Sequence, residues 1–158
     1  MIYIGIDPGK NGAIAKITGR SVETYRFKNL TYREIRDALH TAIGETEGRI
    51  FILFEKAFGL PRQSAPNAYT YGEHNGVLKG VLIELSTTRF GLQWDEVRPS
   101  VWKKAMGVAT SRNVLYRDKK KVSRKKAQDL FPRIDKIDDS IAEALLIAEY
   151  CRRFYGRT

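Results

Sequence analysis

Residues 1–27 read MIYIGIDPGKNGAIAKITGRSVETYRF and combine short strand patterns with turn signals. Pro8-Gly9 and Thr18-Gly19-Arg20 are residues that turn the chain. Before, between and after these turns lie segments rich in apolar and β-branched residues, a composition that favours strands: IYIGI (2–6), AIAKI (13–17) and SVETYRF (21–27). The opening of the chain therefore predicts a meander of three antiparallel strands.

The rest of the chain alternates helical and extended patterns. We predict strands at 49–55 and 92–98, helices at 30–43, 67–90, 99–106, 122–132 and 138–155, and a polar basic loop at 107–121. Three antiparallel strands followed by α/β crossovers predict a five-stranded mixed sheet with helices on both faces. This is the element order of a ribonuclease H-like α/β fold. The chain of 158 residues is expected to form a single domain over 1–158.

Two helices carry informative local patterns. Thr31 and Glu34 have the spacing of a capping box at the start of the first helix. In the second helix Gly72, Gly76 and Gly80 share one face. Each glycine in a helix interior costs about 1 kcal/mol against alanine, so we expect close packing on this face, either against the protein's own sheet or against a partner.

Composition excludes several classes of protein. No run approaches the roughly 20 apolar residues of a membrane span, and the first strand pattern begins too early to leave room for a signal peptide. Cys151 is the only cysteine, so an internal disulfide is impossible and a Cys/His zinc site is not expected. Cys151 is interpreted as a core or semi-exposed thiol. We expect a cytoplasmic protein.

Positive charge is concentrated in residues 98–126. This segment has eleven basic residues and one acidic residue, whereas the rest of the chain is balanced and the total is +10. A concentrated positive field suits a polyanion such as nucleic acid. The alternative is a solvated basic loop without a partner.

Two acidic residues end predicted strands. Asp7 follows IYIGI and Glu55 follows IFILF, so both are expected at the rim of the sheet, where functional sites form. Each has a purely structural alternative. Asp7 could simply start the turn at Pro8-Gly9, and Glu55 could be paired with Lys56.

A third acidic group begins the last helix. Asp139 and Glu143 are four residues apart and share a face, with Asp138 directly before them. Alternatively, Ser140 and Glu143 form a capping box. Three segments that bring acids together create carboxylate repulsion, which hard divalent cations relieve. A metal–carboxylate site beside a basic segment indicates hydrolysis of phosphodiesters in a nucleic acid.

Taken together, the motifs resemble those of the RuvC-like Holliday junction resolvases, in particular their compact phage-type members. The resemblance covers nearly the whole chain. Its motifs are GIDPGKNGAIA (5–15), FEKAFG (54–59), YGEHNGVLKGVL (71–82), VRPSVWKKAMG (97–107), KKKVSRKKAQDLFP (119–132) and DDSIAEALLIAEY (138–150).

The resemblance implies an Mg²⁺-dependent endodeoxyribonuclease with two metal ions per site, for which Mn²⁺ could substitute. The metal ligands would be Asp7, Glu55, Asp138, Asp139 and Glu143, although it does not decide between Asp138 and Asp139. Lys120 or Lys121 would support the scissile phosphate. Phe58 would stack at the junction centre, or alternatively fold onto the core. Further DNA contacts are expected from Lys103, Lys104, Arg112, Arg117, Lys119, Arg124 and Lys125.

A four-way junction has two-fold symmetry, so we expect a homodimer with two sites. Other interpretations remain open: a branched-DNA-binding protein that does not cut, a ribonuclease H or a less selective branched-DNA nuclease, and an actin- or sugar-kinase-like ATPase. The last class duplicates the fold and needs about twice this length.

Overall fold

The computed structural model of the chain describes residues 1–45, 48–56, 64–111 and 113–156. Strands and helices follow one another in the predicted order. They are β1 (Ile2–Asp7), β2 (Ala13–Thr18), β3 (Ser21–Arg26), α1 (Tyr32–Ile43), β4 (Ile50–Glu55), α2 (Ala65–Thr88), β5 (Leu92–Val97), α3 (Pro99–Ala105), α4 (Tyr116–Leu130) and α5 (Asp139–Tyr155).

The five strands form one mixed sheet in the order β3-β2-β1-β4-β5. β1 pairs antiparallel with β2, and β2 with β3. β1 pairs parallel with β4, and β4 with β5. The predicted five-stranded mixed sheet with three antiparallel strands is confirmed. Because Ile6 is in register with Phe54, the next residues, Asp7 and Glu55, end neighbouring strands at the same edge of the sheet.

Side chains of β1 and β4 alternate between two apolar layers. Tyr3, Phe51 and Leu53 pack under α5 together with residues of α3 and α4. Ile4 and Ile52 point the other way and pack against α1 and α2. This period of two, with both faces covered, explains why β4 is apolar throughout.

Helix α5 comes into backbone contact with the sheet at Gly5, in the middle of β1. A Cβ on Gly5 would lie 2.2 Å from the backbone nitrogen of Ala148 and 2.4 Å from the carbonyl oxygen of Ala144. α5 therefore rests directly on the β1 backbone. One turn further along α5, Cys151 is a buried core thiol, and its Sγ donates a hydrogen bond to the Phe51 carbonyl oxygen at 3.3 Å.

The capping box of α1 forms as predicted. The Thr31 backbone N–H donates to Glu34 Oε2 at 2.7 Å, and the Glu34 N–H donates to Thr31 Oγ1 at 3.3 Å. Two otherwise unpaired backbone donors at the helix start are thereby satisfied.

The predicted basic loop at 107–121 is wrong in its second half, because α4 begins at Tyr116. Lysine and arginine are good helix formers, so the run from Arg117 to Lys121 is compatible with a helix. Ser123 and Ala127 face inward and give this very polar helix a buried side. The first part of α4 was not predicted because this segment has too few apolar residues to show a helical pattern.

The glycine face of α2 points away from the sheet, which excludes the interpretation that it packs against the protein's own strands. A Cβ at Gly72, Gly76 or Gly80 would meet no atom of the described part of the chain within 4 Å. The buried face of α2 is instead formed by residues such as Leu78 and Leu82. Although α2 has 24 residues, neither it nor any other described helix is long and apolar enough to cross a membrane.

Gly5→Ala is expected to destabilise the fold by about 3 kcal/mol or more, since the added methyl group would overlap backbone atoms that cannot rotate away. The matched control is Gly80→Ala, which adds the same group in open space and should leave stability unchanged or raise it by up to about 1 kcal/mol. Urea unfolding followed by circular dichroism measures both. Equal stability of the two variants would contradict the direct contact between α5 and β1.

Candidate active site

Three carboxyl groups converge at the sheet edge where β1 and β4 end. Asp7 and Glu55 come from the strand ends, and Glu143 comes from the second turn of α5. Burial, followed by the charges of Glu143 and Glu55, raises the pKa of Asp7 well above its ordinary value. The three groups therefore repel one another in a poorly solvated place.

Glu55 is buried, with 9% of its surface exposed. Its Oε2 accepts a hydrogen bond of 2.7 Å from Nε1 of Trp102, which is completely buried. Burial raises the pKa of Glu55, whereas the charge of Lys103 and the Trp102 hydrogen bond oppose that rise. Lys56 does not pair with Glu55 and instead lies 3.8 Å from Glu96.

Glu143 is the most enclosed of the three, with 5% of its surface exposed. Its Oε1 lies 3.1 Å from Lys103 Nζ, and its Oε2 lies 2.8 Å from Lys120 Nζ. The capping-box interpretation of this residue is wrong. The helix is capped by Asp138, whose Oδ1 accepts from the Ile141 N–H at 2.9 Å.

Of the two lysines predicted to support a phosphate, only Lys120 reaches the carboxyl cluster. Burial alone would lower the pKa of Lys120, but Glu143 and then Asp7 hold it above its ordinary value. Lys121 points elsewhere and pairs with Asp118 at 3.1 Å.

The two acids at the start of α5 have other partners in this structure. Asp138 Oδ2 pairs with Arg26 Nε at 2.7 Å, and Asp139 Oδ1 lies 3.1 Å from Arg124 Nε. Neither acid is among the main causes of the raised pKa of Asp7, which are burial and the charges of Glu143 and Glu55. The structure thus brings Asp7, Glu55 and Glu143 together, and places Asp138 and Asp139 outside this group. Their role as ligands stays a prediction.

A cleft of about 680 Å³ opens from the carboxyl cluster between α3 and α4. Lys103, Lys104 and Lys119, all predicted DNA contacts, line it together with Lys120. Of the other predicted contacts, Arg117 and Lys125 are exposed on α4 and Arg124 pairs with Asp139. Phe58 and Arg112 are not among the described residues, so their predicted roles stay predictions.

Sequence reasoning missed Trp102 and Tyr71 at this site. The Tyr71 ring packs against the turn after β1, where a Cβ on Gly9 would lie 3.1 Å from the ring. Burial, followed by the charges of Glu55 and Asp7, raises the pKa of Tyr71 to about 12, so its hydroxyl stays protonated. Both residues lie in motifs of the family resemblance, YGEHNGVLKGVL (71–82) and VRPSVWKKAMG (97–107), but nothing in the local sequence indicated that their side chains reach the carboxyl cluster.

The donor set suits a hard divalent cation in its chemistry. Carboxylate oxygens are the ligands that Mg²⁺ takes. Burial, followed for Asp7 by the neighbouring carboxylates, raises the pKa of Asp7 and Glu55, and a bound cation would favour their ionised forms. Among the described residues, no group of three or more His, Cys, Asp or Glu side chains is close enough to hold an ion as it stands. Side-chain movement would therefore accompany metal binding.

No protein-family model matches the sequence, and no curated protein sequence matches it either. A solved structure, T. thermophilus RuvC in complex with Holliday junction substrate, is similar over 99% of this chain and 95% of that chain. The TM-score is 0.63 at 18% sequence identity. The chain has a RuvC-like fold. The ribonuclease H-like prediction is thus confirmed, and at this identity the similarity concerns the fold alone.

Trp102→Phe is expected to destabilise the protein through loss of its hydrogen bond to Glu55. Hydrogen bonds to charged groups contribute about 1.5–3 kcal/mol. A double-mutant cycle with Glu55→Met, measured by urea unfolding, isolates this term from lost packing. If Trp102→Phe costs as much in the Glu55→Met background as in the wild type, the bond does not stabilise the site.

Proposed function

We propose that this protein is a structure-specific DNA endonuclease that resolves Holliday junctions and related branched DNA by Mg²⁺-dependent phosphodiester hydrolysis. The convergence of Asp7, Glu55 and Glu143 beside Lys103 and Lys120 carries the proposal. The RuvC-like fold supports it, since the similar T. thermophilus protein is described in complex with a junction.

Asp7, Glu55 and Glu143 would hold the two ions, and Asp138 or Asp139 would join them after release from its arginine. Bound Mg²⁺ supplies an activated water and stabilises the leaving oxygen, and Mn²⁺ would replace it. Trp102 keeps Glu55 oriented through its 2.7 Å hydrogen bond.

The lysines of the cleft would bind the DNA backbone. Lys104 and Lys119 line its walls, and each carries a charge that a phosphate can pair with. Tyr71, whose hydroxyl remains protonated, can donate a hydrogen bond to a phosphate oxygen. Backbone contacts of this kind position DNA without reading its sequence.

Asp7→Asn is expected to lower cleavage of a labelled immobile four-way junction at least about a hundredfold, because it removes a metal ligand. The wild type should make symmetric paired nicks with Mg²⁺ and none with EDTA, as resolved on a denaturing gel. Linear duplex and an RNA–DNA hybrid are the substrate controls.

Other outcomes of this assay identify the competing functions. Cutting of the hybrid would indicate a ribonuclease H, and cutting of forks, flaps and junctions alike would indicate a less selective nuclease. Junction binding without cleavage in Mg²⁺ or Mn²⁺ would contradict the proposal in favour of an architectural DNA-binding protein.

The protein is further proposed to act as a homodimer through the exposed face of α2. Tyr69 and Ile83 are 69% and 55% exposed and continue the face of Gly72, Gly76 and Gly80 at helical spacing. With no Cβ on these glycines, a partner backbone can approach closely. Two sites related by a two-fold axis match the symmetry of a junction.

Gly76→Leu is expected to convert the dimer to a monomer of 18.0 kDa, because the added side chain blocks close approach at the face. Light scattering measures the mass, and Gly72→Leu and Gly80→Leu should behave alike. Lys125→Leu, which adds the same side chain on exposed α4, should remain dimeric. Folded dimers in all three glycine variants would exclude this interface.

A further inference from the structure

Both oxygens of Glu143 are taken by ammonium groups. Lys103 from α3 contacts Oε1 and Lys120 from α4 contacts Oε2. Since Glu143 is 5% exposed, little room remains at these oxygens for another cation. Glu143 is therefore the carboxylate of the cluster whose two oxygens both contact ammonium groups of the protein itself.

Each lysine is held in place by an aromatic ring as well. Lys103 Nζ lies 5.0 Å from the centroid of the Trp102 ring, and Lys120 Nζ lies 5.4 Å from that of Tyr116. Cation–π contacts at these distances stabilise an ammonium group in position. The lysines are thus built into the walls of the cleft and aimed at Glu143.

A divalent ion at Asp7 and Glu55 would be repelled by these two positive charges, which lie close enough to oppose the rise in the pKa of both carboxyl groups. The two ammonium groups offset at most two of the three carboxylate charges, which leaves attraction for a cation at the cluster. One divalent ion together with both ammonium groups already outweighs the three carboxylates, and a second ion increases the excess of positive charge. We therefore expect full metal loading to be favoured when the lysines leave Glu143.

We propose that Lys103 and Lys120 clamp Glu143 in the DNA-free protein, and that DNA phosphates entering the cleft draw the lysines away and release Glu143 to the metal. This inference rests on the proposed function and deepens it. Lys103 and Lys120 act here as positioning residues. DNA binding then strengthens metal binding, and by thermodynamic linkage metal binding strengthens DNA binding by the same factor.

The first test is Mn²⁺ binding to the DNA-free protein by isothermal titration calorimetry. Lys103→Met and Lys120→Met retain an apolar side chain but remove the charge. Each variant should bind Mn²⁺ about five- to tenfold more tightly than the wild type, an effect at the lower end of the coupling usually measured between two binding sites. Lys121→Met is the matched control. Its ammonium pairs with Asp118, so its affinity should be unchanged.

The second test adds a linear duplex, which the proposed nuclease leaves uncut. Duplex should tighten Mn²⁺ binding to the wild type by about fivefold or more, and by less in Lys103→Met and Lys120→Met. Circular dichroism establishes folding of each variant. If one lysine variant does not fold, the other carries the test.

The proposed hold of Lys103 and Lys120 on Glu143 is refuted if Lys103→Met and Lys120→Met bind Mn²⁺ no more tightly than the wild type. It is also refuted if Lys121→Met increases Mn²⁺ affinity as much as they do. Such results would leave the proposed function intact wherever the wild type cleaves the junction. If neither the wild type nor any variant binds Mn²⁺ and the wild type does not cleave the junction, both the metal-dependent function and the proposed role of the lysines are refuted.

Discussion

The direct contact of α5 with β1 at Gly5 is the constraint on which the rest of the structure depends. Backbone atoms of Ala144 and Ala148 lie within 2.4 Å of where a Cβ on Gly5 would be, so no side chain at this position separates the helix from the strand. Glu143 immediately precedes Ala144 and is thereby held near the strand end that carries Asp7. A thicker layer between helix and sheet would move Glu143 away and weaken its repulsion of Asp7, which together with the larger effect of burial raises the pKa of Asp7.

The energetic character of the site follows from this geometry. Burying carboxylates close together is unfavourable unless positive charge or hydrogen bonds compensate them. The chain provides Lys103 and Lys120 for Glu143, and the Trp102 N–H for Glu55, while Asp7 retains a strongly raised pKa. Buried carboxylates whose charges are compensated to different degrees are typical of functional sites. The contacts of Lys103 and Lys120 with Glu143 also connect the short helix α3 and the very polar helix α4 to the buried helix α5.

The sequence predicted most of the framework because strand patterns, turn residues and caps are local signals. Asp7 and Glu55 could be placed at one sheet edge from the strand order alone. Other features depended on partners far along the chain. Glu143 fits a capping box locally, yet lysines forty and twenty-three residues away hold its carboxylate. The helical start of α4 at Tyr116 was likewise hidden, since a helix with so few apolar residues gives little periodic signal.

The sequence by itself determined the order of elements, the mixed sheet, the acids at the strand ends and the basic segment, because each depends on residue type and short spacing. Only the tertiary structure decided which acids meet. It joined Glu143 to Asp7 and Glu55, paired Asp138 and Asp139 with Arg26 and Arg124, and turned the glycine face of α2 outward. These outcomes depend on how α5 and α2 rotate about their own axes against the sheet, and that rotation is set by packing between distant segments.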